Sequence, residues 1–149
     1  MNYANDHIRN VLIAGHGGAG KTSLAEALLF TAKSTDRLGR VEDGNTVCDY
    51  DPEEAKRRAS LSLAVAPVEY DGVKINLIDT PGLFDFELGL HEGIRAAESV
   101  LVVEHTPIRE LAEIPVPAAF PRDRSSLKLP EMVELKEHLI DLLRKQVTV

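Results

Sequence analysis

The sequence predicts a three-layer α/β domain built around a mostly parallel sheet, and two observations support this class. An apolar strand at residues 11–13 runs into a glycine-rich turn, after which Leu24, Ala25, Leu28 and Leu29 recur at helical spacing. The elements expected as far as residue 104 follow in the order strand, helix, hairpin, helix, strand. Such alternation places helices on both faces of a sheet.

The glycine-rich turn has the G-x-x-x-x-G-K-[ST] spacing of a phosphate-binding P-loop. Glycine adopts dihedral angles closed to other residues, so successive amides can turn toward one anion. Lys21 is expected to meet the terminal phosphates and Thr22 to bind Mg²⁺, while the following helix presents its positive end. His16 is given no chemical role of its own. The predicted nucleotide-binding residues of this segment are Gly15, His16, Gly17, Gly18, Ala19, Gly20, Lys21, Thr22 and Ser23.

Length and composition narrow the class further. A chain of 149 residues predicts a single domain, 1–149, with a real hydrophobic core. The formal charge of −7 argues against a broad nucleic-acid footprint, so no sequence-specific DNA partner is expected. Cys48 is the only cysteine, which excludes an internal disulfide. No secretory signal or membrane-length apolar run occurs, and we expect a soluble, cytoplasmic protein without a membrane partner.

A long polar stretch, residues 34–54, separates the first helix from the next strand. It has no sustained apolar period and indicates a mobile loop. Loops of this length are usually functional or disordered, so it either closes over a nucleotide or is a disordered insertion. The basic cluster 56–58 that follows is either a solvated face or a contact for an anionic partner.

Two extended runs, 61–70 and 73–78, are joined by Asp71-Gly72, a strong hairpin signal. A parallel nucleotide-kinase sheet would use crossover helices here, so the hairpin favours a GTPase-like domain. The second run ends in a D-x-x-G motif, where ligands of open α/β sheets collect. We expect Asp79 to hold Mg²⁺ through a coordinated water and the amide of Gly82 to approach the γ-phosphate.

The C-terminal part departs from this alternation. A helix is predicted over 84–98 and a buried parallel strand over 99–104. Four prolines then fall within fifteen positions, so 105–129 is interpreted as a Pro-rich linker, and 130–149 as an amphipathic helix. His138 on that helix is expected to be solvated. The edge of strand 99–104 is an aggregation hazard unless the C-terminal segment covers it.

The P-loop, the stretch 38–54 and Asp79-Thr80-Pro81-Gly82 together resemble the start of the G domain of elongation factor G and its elongation factor G-like relatives, over residues 7–104. The resemblance implies a P-loop NTPase G domain, incomplete in its C-terminal half. It implies a translational GTPase that uses GTP/GDP and Mg²⁺, with the ribosome as partner. Ser60 stands where the family carries its Mg²⁺-binding threonine, so the implied metal ligands are Thr22, Ser60 and Asp79.

Three departures from the family pattern leave alternatives open. Leu83 replaces the histidine that commonly follows D-T-P-G, so no catalytic residue is assigned, and Gly18 replaces a P-loop aspartate. No Asn-Lys-x-Asp occurs, so these residues do not distinguish guanine from adenine. A truncated or internally shortened chain is expected. The alternatives are a non-hydrolysing nucleotide-binding or interaction module and a P-loop ATPase.

Overall fold

A computed structural model describes residues 3–82, 86–104, 107–108 and 111–147. Its strands are β1 (Ile8–Ala14), β2 (Ala64–Tyr70), β3 (Val73–Asp79), β4 (Ser99–Val103) and β5 (Leu111–Pro115). Its α-helices are α1 (Lys21–Thr31), α2 (Pro52–Arg57), α3 (Phe86–Ala96) and α4 (Pro130–Val147). Short 3₁₀ helices occur at Asn5–His7, Val41–Asp43 and Ser126–Lys128.

The five strands form one mixed sheet in the order β2-β3-β1-β4-β5. The central strand β1 pairs in parallel with β3 and β4, whereas the two edge strands are antiparallel to their neighbours. Asp71 and Gly72, with φ of 48° and 76°, form the tight turn between β2 and β3. Left-handed values at both turn positions match the twist of a hairpin. The α/β fold class and the predicted hairpin are confirmed.

Helices cover both faces of the sheet and complete three layers. On one face α3 and α4 pack on Leu12, Val100 and Val102, with Leu139 of α4 fully buried. On the other face α1 packs through Ala25 and Leu29 on the opposite side chains of the strands. Burial of these apolar side chains is the main driving force for the fold. The site described below lies where the carboxyl ends of β1 and β3 meet, since the register pairs Ile13 with Asp79.

The Pro-rich segment is not simply the linker that the sequence suggested. Part of it forms β5, which pairs with β4 through Val100–Ile114 and Ser99–Pro115 and so covers that edge of the sheet. The reason is positional, because Pro115 ends an edge strand, where proline is tolerated. The amphipathic helix was predicted within a few residues of α4, and His138 is exposed on it as expected.

The long polar loop is also more ordered than predicted. It contains the 3₁₀ turn Val41–Asp43, leads into α2, and buries Thr46, Cys48 and Asp49. The start of α2 is fixed by a capping box, in which the Asp51 side chain accepts from Glu53 N at 2.8 Å and Asp51 N donates to Glu54 at 3.2 Å. Among the described residues, no helix combines the length and apolar character needed to cross a bilayer.

Candidate functional site

The P-loop connects the end of β1 to the start of α1 and depends on its glycines. Gly18 and Gly20 have φ of 80° and 95°, in the left-handed region that glycine adopts without strain. A Cβ at Gly15 would lie 2.6 Å from the Val103 carbonyl oxygen, so the loop packs closely on β4. No side chain in the described part of the chain caps the N-terminus of α1. Its first amides therefore point toward the loop as donors for an anion.

Lys21, the first residue of α1, lies inside this loop. Its side chain is buried and its Nζ donates a 2.9 Å hydrogen bond to the carbonyl oxygen of His16. Burial lowers the pKa of Lys21, while the nearby charge of Asp79 opposes that change. His16 Nδ1 contacts the Gly17 carbonyl oxygen at 2.5 Å, which ties the imidazole to the loop backbone. The structure thus places the Lys21 ammonium against the backbone of the P-loop.

Oxygen atoms from three segments meet beside Lys21. The hydroxyl of Thr22 donates to Asp79 Oδ2 at 2.7 Å and lies 3.2 Å from the Ser60 hydroxyl. Ser60 in turn donates to Asp49 Oδ1 at 2.6 Å. The three side chains predicted as metal ligands, although distant in sequence, therefore lie together.

Asp79 is the most buried member of this group, with 1% of its surface exposed. Burial raises its pKa to about 6, and the charges of Asp49 and Glu26 add to the effect, against the hydrogen bond from Thr22 and the charge of Lys21. Its Oδ1 has no hydrogen-bond partner among the residues that the structure describes. A buried carboxylate oxygen without a partner lowers the stability of the fold unless a cation or a water molecule contacts it.

The D-x-x-G turn packs directly on the P-loop. A Cβ at Gly82 would lie 2.5 Å from Lys21 Nζ and 2.8 Å from Gly17 N. Thr80 holds the base of the turn by donating a 2.9 Å hydrogen bond to the Ile13 carbonyl oxygen. Only glycine allows this approach of two backbones. Leu83, the residue that replaces the family's histidine, lies outside the described residues.

A cavity of about 690 Å³ opens beside these groups. The P-loop and the first turns of α1 form one wall, and residues from Val41 to Ser60 form the other. This volume lies within the range of small-ligand sites. Of the basic cluster, Arg58 lines the cavity with a left-handed φ of 54°, whereas Arg57 pairs with Glu53 on α2 at 3.4 Å.

Sequence reasoning missed three buried carboxylates around the site. Asp49 accepts hydrogen bonds from Ser60 and, at 3.0 Å, from Thr46. Glu54 accepts from the amides of Leu61 and Ser62, the two residues after Ser60, at 2.8 and 2.9 Å. Glu26 of α1 accepts from Val47 N at 2.6 Å. The position of Glu26 beside Ala25 and three residues before Leu29, on the inward face of α1, was the one available signal.

A glycine-rich loop with a buried lysine, a cluster of hard oxygen ligands and a second glycine turn, set at one edge of an α/β sheet, defines a P-loop nucleotide-binding protein. The model of the elongation factor Tu GTP binding domain matches residues 6–106. The chain belongs to this family and contains a translation factor GTPase domain. The predicted resemblance is confirmed.

Similar proteins agree with this assignment. The chain is 51% identical over 96 residues to an elongation factor G-like protein of Mycobacterium tuberculosis, covering 64% of this chain and 13% of the relative. It is 41% identical over 101 residues to the mitochondrial ribosome-releasing factor 2 of Drosophila willistoni, covering 68% of this chain and 14% of the relative. A crystal structure of a Thermus thermophilus protein superimposes with a TM-score of 0.62 at 41% identity, covering 65% of this chain and 15% of that one. The chain spans about one seventh of the length of these proteins.

Proposed function

We propose that this chain binds a guanine nucleotide with Mg²⁺ and serves as the GTPase domain of a cytoplasmic, elongation factor G-like protein that acts on the ribosome. The observation that supports it most is the packing of Gly82 against Gly17 and the ammonium of Lys21. This contact joins the two segments that would have to meet at the terminal phosphate. A turn in this position can report whether that phosphate is present.

The P-loop supplies the phosphate-binding groups. The amides around Gly17, Gly18 and Gly20 and the uncapped N-terminus of α1 would surround the phosphates, with Lys21 as a mobile charge. Lys21 is bonded to the carbonyl oxygen of His16 in this structure, so it would exchange that partner for a phosphate oxygen. Ser23 also lines the cavity. Gly15 and Ala19 would contribute by letting the loop pack closely on the sheet, since both residues are buried there.

The residues present fit a magnesium ion. Thr22, Ser60 and Asp79 offer hard oxygen atoms, and the unsatisfied Oδ1 of Asp79 supplies an acceptor for a coordinated water. Within the described part of the chain, no three His, Cys, Asp or Glu side chains form a metal site by themselves. Mg²⁺, when bound, neutralises phosphate charge. Thr22 and Asp79 orient each other through their 2.7 Å hydrogen bond.

Hydrolysis of GTP is the activity proposed for this site. In such a reaction the protein contributes positioning and electrostatic stabilisation, for which Lys21 and the loop amides are suited. Phosphate release from GTP should be measured with and without ribosomes. If ribosomes stimulate phosphate release, the result supports the proposed GTPase activity. No release in either condition, with nucleotide still bound, supports the alternative of a non-hydrolysing binding module.

Base preference needs its own test, because no Asn-Lys-x-Asp occurs in the chain. The chain should be loaded with a fluorescent GDP, and unlabelled GTP, GDP and ATP should be compared as competitors at fixed Mg²⁺. Displacement by GTP and GDP at lower concentration than by ATP supports the proposal. Equal or better displacement by ATP contradicts the guanine assignment and favours a P-loop ATPase.

A further inference from the structure

Glu26 is a buried acidic side chain in the middle of α1, and the phosphate-binding chemistry described above does not use it. Only 1% of its surface is exposed. Its Oε1 accepts a 2.6 Å hydrogen bond from Val47 N, and its Oε2 has no hydrogen-bond partner within the described ranges. A buried carboxylate with one acceptor site unsatisfied costs stability. Such a group in a native protein calls for an explanation.

The Glu26 carboxylate touches the polar segment 38–49 at two places. Besides the bond to Val47 N, a Cβ at Gly39 would collide with the carboxylate and lie 3.0 Å from the Thr46 Cα. Gly39 is itself buried. Absence of a side chain at this position therefore lets the segment close onto α1.

The same segment ends in Asp49, which holds one of the proposed metal ligands, Ser60. Val47 is followed two residues later by Asp49, whose carboxylate accepts from Ser60 at 2.6 Å. Ser60 contacts Thr22, one turn before Glu26 on α1. The path from Glu26 through Val47, Asp49 and Ser60 thus returns to the same helix. A displaced Val47 would move Asp49 and Ser60 away from Thr22.

We propose that Glu26 is a positioning residue that fastens segment 38–49 to α1, so that Asp49 and Ser60 face Thr22 in the magnesium site. This inference rests on the proposed function where it concerns the metal role of Ser60. The contact between Glu26 and segment 38–49 does not rest on the proposed function, because that contact is present in the chain without nucleotide.

Cys48 provides a direct probe of this contact. It is the only cysteine, it is 2% exposed, and it lies between Val47 and Asp49 in the fastened segment. Burial raises the pKa of its thiol, and the charges of Asp79, Glu26, Asp49 and Glu54 raise it further. A closed segment therefore protects the thiol, and opening makes it reactive.

The experiment measures the rate at which a thiol reagent labels Cys48 in the full chain without nucleotide. Glu26→Ala should raise the rate by about tenfold or more, the change that loss of one charge-assisted hydrogen bond produces. Glu26→Gln keeps an oxygen acceptor for Val47 N and should stay within about threefold of the original chain, a smaller loss expected because the neutral bond is weaker. Leu135→Ala, on the opposite face of the sheet, controls for general destabilisation. The labelling rate of each variant is measured the same number of degrees below its own thermal unfolding midpoint.

A second substitution tests the same contact from the other side. Gly39→Ala places a methyl group against the Glu26 carboxylate and should also raise labelling. In the double variant the two effects should not add, because residues in contact are energetically coupled. Additive effects, or a labelling rate for Glu26→Ala no faster than for Leu135→Ala, would overturn the inference.

The dependence on nucleotide separates this inference from the proposed function. With Mg²⁺ and GDP, Glu26→Ala should bind nucleotide with a reduced Mg²⁺ stimulation, and Glu26→Gln should restore it. If the unmodified chain binds no nucleotide, the proposed function fails while the labelling result still decides whether Glu26 fastens the segment. If nucleotide binds and neither labelling nor Mg²⁺ stimulation changes, the inference alone fails.

Discussion

The hydroxyl of Thr22 donates a 2.7 Å hydrogen bond to the buried carboxylate of Asp79, 57 residues away in the sequence. This bond joins the first turn of α1 to the end of β3, and it forms because β1 and β3 run in parallel and end at the same edge of the sheet. Sheet register therefore sets the positions of two residues that we propose as Mg²⁺ ligands, and of the turn that would sense the terminal phosphate. Substitutions around this pair give the sharpest predictions.

Ser60→Ala is expected to weaken the effect of Mg²⁺ on nucleotide binding by about tenfold, the size of one lost hydrogen-bonding group in a charged site. The reason is loss of the hydroxyl that contacts Thr22 and Asp49. Nucleotide dissociation should be followed at increasing Mg²⁺ concentrations. Ser60→Thr should retain the effect, and Ser62→Ala, an exposed neighbour, should leave it unchanged. A Ser60→Ala chain with the original Mg²⁺ dependence would contradict the metal role proposed for Ser60.

Gly82→Ala is expected to destabilise the chain by about 1–3 kcal/mol, the usual cost of overpacking, and to weaken nucleotide binding. The added methyl group would lie 2.7 Å from the Gly17 Cα and 2.5 Å from Lys21 Nζ. The matched control is Gly89→Ala on α3, where the closest atom, the Pro81 Cδ, is 3.3 Å away. Denaturant unfolding and nucleotide titration measure the two effects. Equal behaviour of both variants would mean that the turn does not pack on the P-loop.

Asp123 should contribute stability that depends on pH. Its carboxylate accepts from the hydroxyl of Ser125 and from the amides of Ser126 and Ser125, which lowers its pKa to about 2. Since the folded chain favours the ionised form, this contribution is present above the ordinary carboxyl pKa and is lost as the pH falls toward 2. Asp123→Asn should lower the thermal midpoint near pH 6 and converge with the original chain only as the pH falls below about 2. Asp141→Asn on α4 is the control, and a constant difference across pH would contradict the assignment.

Leu139→Ala is expected to lower the free energy of unfolding by about 2–5 kcal/mol, the range for leucine truncation in a core. Leu139 is fully buried between α4 and the sheet. His138→Ala, exposed next to it, should change stability by less than about 0.5 kcal/mol. Urea unfolding separates the two outcomes. Similar small effects from both would show that α4 is not part of the core.

Most of the fold was predictable because strong local signals agree with the tertiary structure. The P-loop, the Asp-Gly hairpin and the apolar strand 99–104 each specify one element and its neighbours. β5 was not predicted, since its residues are mostly exposed and an edge strand has only weak periodicity. Its pairing partner, β4, decides its structure, and no local pattern contains that information.

The P-loop and D-x-x-G residues of the candidate site could be predicted from the sequence, whereas the carboxylates that support them could not. Lys21, Thr22 and Asp79 belong to motifs with fixed spacing, and Ser60 was implied by the family resemblance. The structure brings Thr22, Ser60 and Asp79 together. Glu26 and Glu54 accept hydrogen bonds from the backbone amides of Val47 and Leu61, and neither pairing follows from a helical or strand repeat. Hydrogen bonds between a helix side chain and the backbone of a distant loop depend on how that loop folds back onto the helix. Glu54 lies in a short, highly charged helix, and Glu26 is the one acidic residue of α1, where its inward position is the available signal.

The central claim is that the P-loop binds a nucleotide through Lys21, and calorimetric titration of the chain with GDP in Mg²⁺ tests it most directly. The account predicts saturable binding of one nucleotide, at least about a hundredfold weaker in Lys21→Ala because charge-assisted phosphate bonds are lost. Lys145→Ala, an exposed lysine on α4, should bind like the original chain. No binding to the original chain, or equal binding by the Lys21→Ala variant, would contradict the account.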